Sequence, residues 1–156
     1  MALQEAMASR EELEAYIGDK AKDTFYKNLL DKYFLNPNKP SWSFVACIFN
    51  TFWLAYRKAL MPSLIVFVAF FSIITVIPFP LSYIFAAIIY ILMGLFGMNI
   101  YLLTAEKEIS RIKSYNPTLK GKKLLELIAE KGKPSHKYSF VLVWVSIIFL
   151  SIFILR

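Results

Sequence analysis

The chain has 156 residues, of which 58% are hydrophobic and 17% aromatic, well above the roughly 45–50% apolar content of an average soluble domain. Its net charge of +7, from 18 Lys and Arg against 11 Asp and Glu, is gathered in one stretch with no groove-reading or base-stacking motif beside it, which argues against nucleic acid as a partner. One cysteine, Cys47, excludes an intrachain disulfide and implies no oxidising compartment.

Residues 1–40 form a polar headpiece with six Lys/Arg and seven Asp/Glu, charged throughout, so no cleavable signal peptide is expected at its start. Ser9 followed by Glu12 fits a capping box, in which each side chain meets the other residue's backbone N–H. The spacing predicts a helix over residues 10–17, stopped by Gly18. Asp19 then caps a second helix running to about Phe34, with Phe25, Leu29, Leu30 and Tyr33 as its apolar stripe. Two prolines and two asparagines over residues 36–40 break the chain.

Residues 41–58 make an aromatic and basic segment. The uncharged stretch 41–56 is only 16 residues long, short for a bilayer core of about 30 Å. A helix lying in the interface or dipping into the core is the favoured reading, and a short tilted span is the alternative. Trp42, Trp53 and Tyr56 suit the headgroup level, and Arg57 and Lys58 would contact phosphate, so these five are candidate interface anchors.

Three uncharged apolar runs follow, at residues 59–77, 81–103 and 138–155. Each is long enough at 1.5 Å per residue to read as a membrane-spanning helix. Together they take up roughly 60 residues and leave no room for a large separate soluble domain. Pro62 lies in the first turn of its run, where its missing N–H costs little. Pro78-Phe79-Pro80 turns the chain, so residues 59–103 form a transmembrane hairpin.

Residues 104–137 carry nine Lys/Arg against four Asp/Glu, the pattern of a basic cytoplasmic loop. A polar helical continuation is expected over residues 105–114, a break at Tyr115-Asn116-Pro117, and an amphipathic helix over residues 118–130. That helix sets Leu124, Leu125, Leu127 and Ile128 against Lys120, Lys122 and Lys123, which are candidate contacts for anionic lipid headgroups. Residues 138–156 form the C-terminal span. With the cations in the cytoplasm, the hairpin turn and the C-terminus lie outside. The headpiece is cytoplasmic if residues 41–56 do not cross, and outside if they do.

Candidate chemistry is sparse. His136 is the sole histidine and has no set of metal-ligand partners. Cys47 reads as a small hydrophobe. No nucleophile elbow, zinc-protease helix or phosphate loop is present, and no cofactor is implied. The spans hold no acidic residue, which weakens an ion-coupled transporter. Asn50 and Asn99 are expected to hydrogen-bond between helices, and Gly94 and Gly97, one turn apart, to permit close packing.

The stretches Tyr16-Ile17-Gly18, Ser41-Trp42-Ser43-Phe44, Phe49 to Trp53 and Tyr56-Arg57-Lys58 resemble a bacterial family catalogued as domain of unknown function 2628. Gly94 to Tyr101 approximates a further Gly-x-x-x-Asn-x-x-Tyr-like stretch of that family, and residues 14–133 or so are covered. Two departures stand out: Asn50-Thr51 replaces a frequent Gly-Pro, and Gly132-Lys133 replaces a frequent Gly-Gly. The resemblance implies a small bacterial inner-membrane protein and no particular activity.

The expectation is therefore an all-α integral membrane protein with three transmembrane helices, a short interfacial or re-entrant helix and a small cytoplasmic helical head. Its role is that of a non-enzymatic accessory or interaction protein, with membrane lipids and either an unidentified membrane protein or further copies of itself as partners. One rival is a subunit of an oligomeric pore or transporter, with Asn50, Thr51 and Asn99 lining the path. A lipid-acting enzyme is disfavoured by the missing acid and base groups.

Overall fold

Ser9 opens the first helix as its spacing requires. In the computed structural model, which describes residues 8–154, its side chain accepts from the Glu12 N–H at 3.2 Å, and Glu12 Oε2 accepts from the Ser9 N–H at 2.7 Å. Helix α1 then spans Arg10–Ile17 and stops at Gly18, whose φ of 78° suits a residue without Cβ. The second helix starts later than its sequence suggests. Gly18–Lys22 forms a 3₁₀ turn, and α2 runs over Thr24–Leu35 with Asp23, not Asp19, at its N-cap. Its buried stripe is Tyr26, Leu29, Leu30 and Tyr33, while Phe25 is exposed. Tyr26 takes the place expected of Phe25, because residues 26, 29, 30 and 33 follow the i, i+3, i+4, i+7 spacing of one helix face.

Helix α3 covers Phe44–Tyr56, capped by the Ser43 hydroxyl, and is broken at Asn50. Helix α4 covers Leu60–Val76. Helix α5 is a single 35-residue element, Leu81–Tyr115, which takes in both the apolar run and its polar continuation. Helix α6 covers Lys122–Gly132, shorter at its start than expected because Gly121, with φ 58°, holds the N-cap. Helix α7 covers His136–Ile154. Every element among the described residues is helical. The expected end of the last run at Leu155, and Arg156 beyond it, lie outside the described residues.

The chain divides into two compact units. One joins the residues up to Ser41 with Met98–Lys133. Its core gathers Leu13 and Tyr16 from α1, Leu30 and Tyr33 from α2, and Ile128 from α6 with one face of α5. That face reads Met98, Tyr101, Leu102, Ala105, Ile109 and Ile112, a 3–4 spacing that lines up one side of a helix. The headpiece and the basic loop helix are therefore parts of one folded body, a union that their separation in the sequence conceals.

The other unit joins Trp42–Gly97 with the residues from Pro134 onward. Here α3 packs on both α4 and α7, and its residues Ala46, Leu54 and Ala55 are fully buried. The surrounding helices turn large apolar side chains outward. Ile65 and Val68 of α4, Ile84 and Ile91 of α5, and Phe140, Trp144 and Ile148 of α7 are all at least half exposed. By length and composition, among the described residues one helix, α5, is long and apolar enough to cross a membrane, while α3 and α4 are shorter apolar helices.

Candidate functional site

The break in α3 is the centre of the second unit. Asn50 has φ 42° and ψ −119°, outside the helical region and in territory that favours glycine. It stands where the related pattern often has glycine, and asparagine is the side chain most tolerant of positive φ after it. The break is stitched to α4 next door. The Thr51 hydroxyl donates to the Ser63 carbonyl at 2.6 Å, and the Ser63 hydroxyl donates to the Thr51 carbonyl at 2.9 Å. Ser63 is fully buried, so this reciprocal pair closes the polar demand of a disrupted backbone inside an apolar surround.

A cavity of about 260 Å³ opens beside the break, lined by Phe67, Phe70 and Phe71 of α4, Tyr90 of α5, Asn50 and Ser146. Edge-on ring contacts between Phe70 and Tyr90 at 5.8 Å, and tilted ones between Phe71 and Phe149 at 5.3 Å, hold its aromatic wall together. The Ser146 hydroxyl is spent on its own helix, donating to the Leu142 carbonyl at 2.7 Å.

Both glycines singled out from the sequence lie where α3 meets α5. A Cβ on Gly94 would come within 2.9 Å of the Trp42 ring, and one on Gly97 within 2.9 Å of the Ala46 Cβ. The Ser43 N–H also donates to the Gly94 carbonyl at 2.8 Å, so the start of α3 is fastened there.

Asn99 does a different job from Asn50. Its Nδ2 donates to the Pro37 carbonyl at 2.6 Å and the Lys39 carbonyl at 3.0 Å, clamping the proline-rich turn onto α5 within the first unit. Asn50 and Thr51 belong to the second unit, and all three residues are buried in this chain.

The proposed anchors also separate. Trp53 and Arg57 are buried in protein, at 7% and 3% exposure, whereas Trp42 is 40% exposed and Tyr56 and Lys58 are half-buried. Of the five, Trp42, Tyr56 and Lys58 are the ones with surface open to the outside. His136 is exposed and packs against Tyr56 with ring centroids 4.9 Å apart and the planes tilted by 52°. The Ser139 hydroxyl donates to the Phe52 carbonyl at 3.0 Å, tying the start of α7 to α3. Lys120, Lys122 and Lys123 are all exposed.

In the first unit, a Cβ on Gly132 would collide with the Tyr16 carbonyl oxygen, so α6 meets α1 backbone to backbone. Two stretches compared with the family pattern, Tyr16-Ile17-Gly18 and Gly132-Lys133, therefore touch. Lys113 Nζ lies 2.9 Å from Glu12 Oε1, adding an ion pair between α5 and α1.

Sequence reasoning missed the pair formed by Tyr33 and Glu106. The Tyr33 hydroxyl and Glu106 Oε1 are both buried without a well-formed hydrogen bond. Burial raises the Glu106 carboxyl above the ordinary carboxylate range, with the Tyr33 hydroxyl opposing. Burial, reinforced by the charge on Glu106, raises the Tyr33 phenol. The signal was an acid one turn beyond the apolar run, on the buried face of α5.

A raised folded-state value means that folding favours the protonated acid. That contribution is full below the ordinary carboxylate range and is lost as pH rises through the raised value. Glu106→Gln is therefore expected to be more stable than the parent at pH 7, with the difference shrinking toward pH 4. Thermal unfolding of both proteins across this range checks it, and a difference independent of pH would count against the assignment.

These features define a class: an all-helical protein of two units, one with a polar surface and one with an apolar exterior around a broken helix. The family described as "Protein of unknown function (DUF2628)" matches residues 19–107. The matched region takes in α2, α3, α4 and most of α5, and the chain belongs to this family. No curated protein and no solved structure matches it.

Proposed function

We propose that the chain is a small multi-pass protein of the bacterial inner membrane, a non-enzymatic accessory or interaction protein. Helices α4, α5 and α7 cross the bilayer, and the headpiece sits on the cytoplasmic face with the basic loop. The observation that carries this is the outward apolar belt of the second unit. Monomeric soluble proteins rarely leave contiguous apolar patches beyond a few hundred Å² to water, and here α4, α5 and α7 each present several isoleucine, valine or aromatic side chains outward.

Lengths agree with this placement. The 17 residues of α4 rise about 26 Å and the 19 of α7 about 29 Å, close to a hydrocarbon core of about 30 Å. The 13 residues of α3 rise about 20 Å and are broken midway, which suits a re-entrant helix supported by α4 and α7. The contact of α1 with α6 favours one side for both. It supports a cytoplasmic N-terminus and speaks for α3 returning to the face it entered from. The C-terminus then lies outside. Lys120, Lys122 and Lys123 would meet anionic headgroups.

Among the buried polar side chains, Thr51, Ser63, Asn99 and Glu12 each bind another part of this chain. A partner, whether another membrane protein or a further copy, would dock from the bilayer or on the headpiece.

Two measurements test the placement. The protein is expected to stay in the pellet after carbonate washing, and release into the supernatant would refute membrane integration. In a Cys47→Ser background, Lys27→Cys and Lys123→Cys are expected to resist an impermeant maleimide in spheroplasts and react after lysis, while Phe79→Cys reacts in both. Labelling of Lys27→Cys in intact spheroplasts would place the headpiece outside.

A further inference from the structure

We propose that the C-terminal tip of α2, Phe34-Leu35, inserts into the headgroup layer of the membrane, with Lys32 and Lys39 meeting lipid phosphate. The contact rests on the reading that α5 crosses the bilayer, and deepens it by naming the part of the headpiece that touches lipid.

The tip is apolar where the first unit has no core to offer it. Leu35 is 86% exposed, the most exposed large hydrophobic side chain among the described residues. Phe34 is 42% exposed, with its ring edge-on to the buried Tyr33 at 6.1 Å between centroids.

Asn99 sets the level of the tip. Its Nδ2 donates to the Pro37 and Lys39 carbonyls, and all three residues belong to the first unit. Asn99 stands four residues before Leu103, where the uncharged run ends, which is about 6 Å along a helix axis. Leu103 is itself 41% exposed. The turn is thus bound at the end of the apolar stretch of α5, where hydrocarbon gives way to headgroups. Leu35 is two residues from Pro37, so at most about 7 Å of extended chain separates them.

The backbone of the turn suits a layer poor in water. The Asn36 N–H donates to the Lys32 carbonyl at 2.9 Å, the Asn38 N–H to Asn36 Oδ1 at 3.0 Å and the Lys39 N–H to the Asn36 carbonyl at 3.0 Å. Pro37 and Pro40 have no N–H. Every backbone donor over residues 36–40 is therefore bonded or absent, as a buried segment requires. Lys32 and Lys39, both exposed, flank the tip in sequence. Their cationic heads complement anionic phosphate while their stems lie along apolar surface.

The test uses the full chain in vesicles of phosphatidylcholine and phosphatidylglycerol. A bimane fluorophore is attached to Leu35→Cys, Lys27→Cys or Ile91→Cys, each in a Cys47→Ser background. Lipids carry a nitroxide quencher either near the headgroup end of the acyl chain or near its far end. All three labelled positions are exposed, so these exchanges spare the core. Bimane at position 35 is expected to lose about half of its emission to the shallow nitroxide and less to the deep one, as a group roughly 5–10 Å into the interface does. Position 91, near the middle of the uncharged run, is expected to favour the deep nitroxide. Position 27, about 12 Å back along α2, is expected to be quenched by neither. An unquenched position 35 beside a quenched position 91 would overturn the proposal, leave the bilayer placement standing and free the tip for a protein partner. Quenching at none of the three would overturn the bilayer placement and this contact with it. Equal quenching at positions 35 and 27 would overturn insertion by the tip in favour of α2 lying flat on the surface.

Discussion

Gly132→Val is expected to separate α6 from α1 and to cost about 3 kcal/mol, the upper end for inserting atoms into a packed core. The reason is the identity of the obstacle. A Cβ at this position collides with the Tyr16 carbonyl oxygen, and a backbone atom in the last turn of α1 cannot swing away as a side-chain tip can. Relief requires moving a whole helix, which also strains the Lys113–Glu12 ion pair and exposes the fully buried Leu13 and Ile128. Limited proteolysis of the full-length protein in detergent reads the effect as faster cleavage within the first unit. Gly121→Ala is the matched control. Gly121 has a positive φ, 58°, and nothing lies within 4 Å of the new Cβ, so only backbone strain of about 1–2 kcal/mol is expected. Equal susceptibility of the two variants would show that close approach is not what holds α6 in place.

Gly97→Leu is expected to be of similar size in the second unit, lowering the thermal midpoint in mild detergent by several degrees. Its Cβ would meet the Ala46 Cβ at 2.9 Å, and Ala46 is fully buried in α3 with no freedom to rotate out of the way. The cost again approaches about 3 kcal/mol. Small residues at helix contacts let backbones approach closely. A compensating exchange separates sterics from propensity. Gly97→Ala alone is expected to destabilise despite the better helix propensity of alanine, and adding Ala46→Gly to recover at least half of the loss. A Gly97→Leu protein that melts with the parent would remove the α3–α5 contact from the account.

Patterning made most of the helices legible. The capping box at Ser9 and Glu12, the Gly18 stop and the apolar run feeding α5 are local properties that a linear reading can find. The delayed start of α2 was not legible, because a 3₁₀ turn and a helix cap draw on the same residue types around Asp19 and Asp23. Among the site residues, Asn50 and Thr51 stood out as polar groups in an apolar stretch, yet their partner Ser63 is 12 residues further on. Nothing local distinguishes Ser63 from any other serine in an apolar run. Trp53 and Arg57 carry the chemistry of interface anchors, but burial is set by neighbours distant in sequence.

Composition and order alone established a helical chain with long uncharged stretches, cations gathered between them and a balanced polar start, because these depend on residue type and short-range spacing. Only the tertiary structure decided that residues 8–41 fold against residues 98–133, that asparagine breaks α3, and that Asn50 and Asn99 serve different units. Each of these rests on groups from segments far apart along the chain meeting at van der Waals or hydrogen-bond distance. Periodicity fixes which face of a helix is apolar, whereas packing chooses what that face will touch.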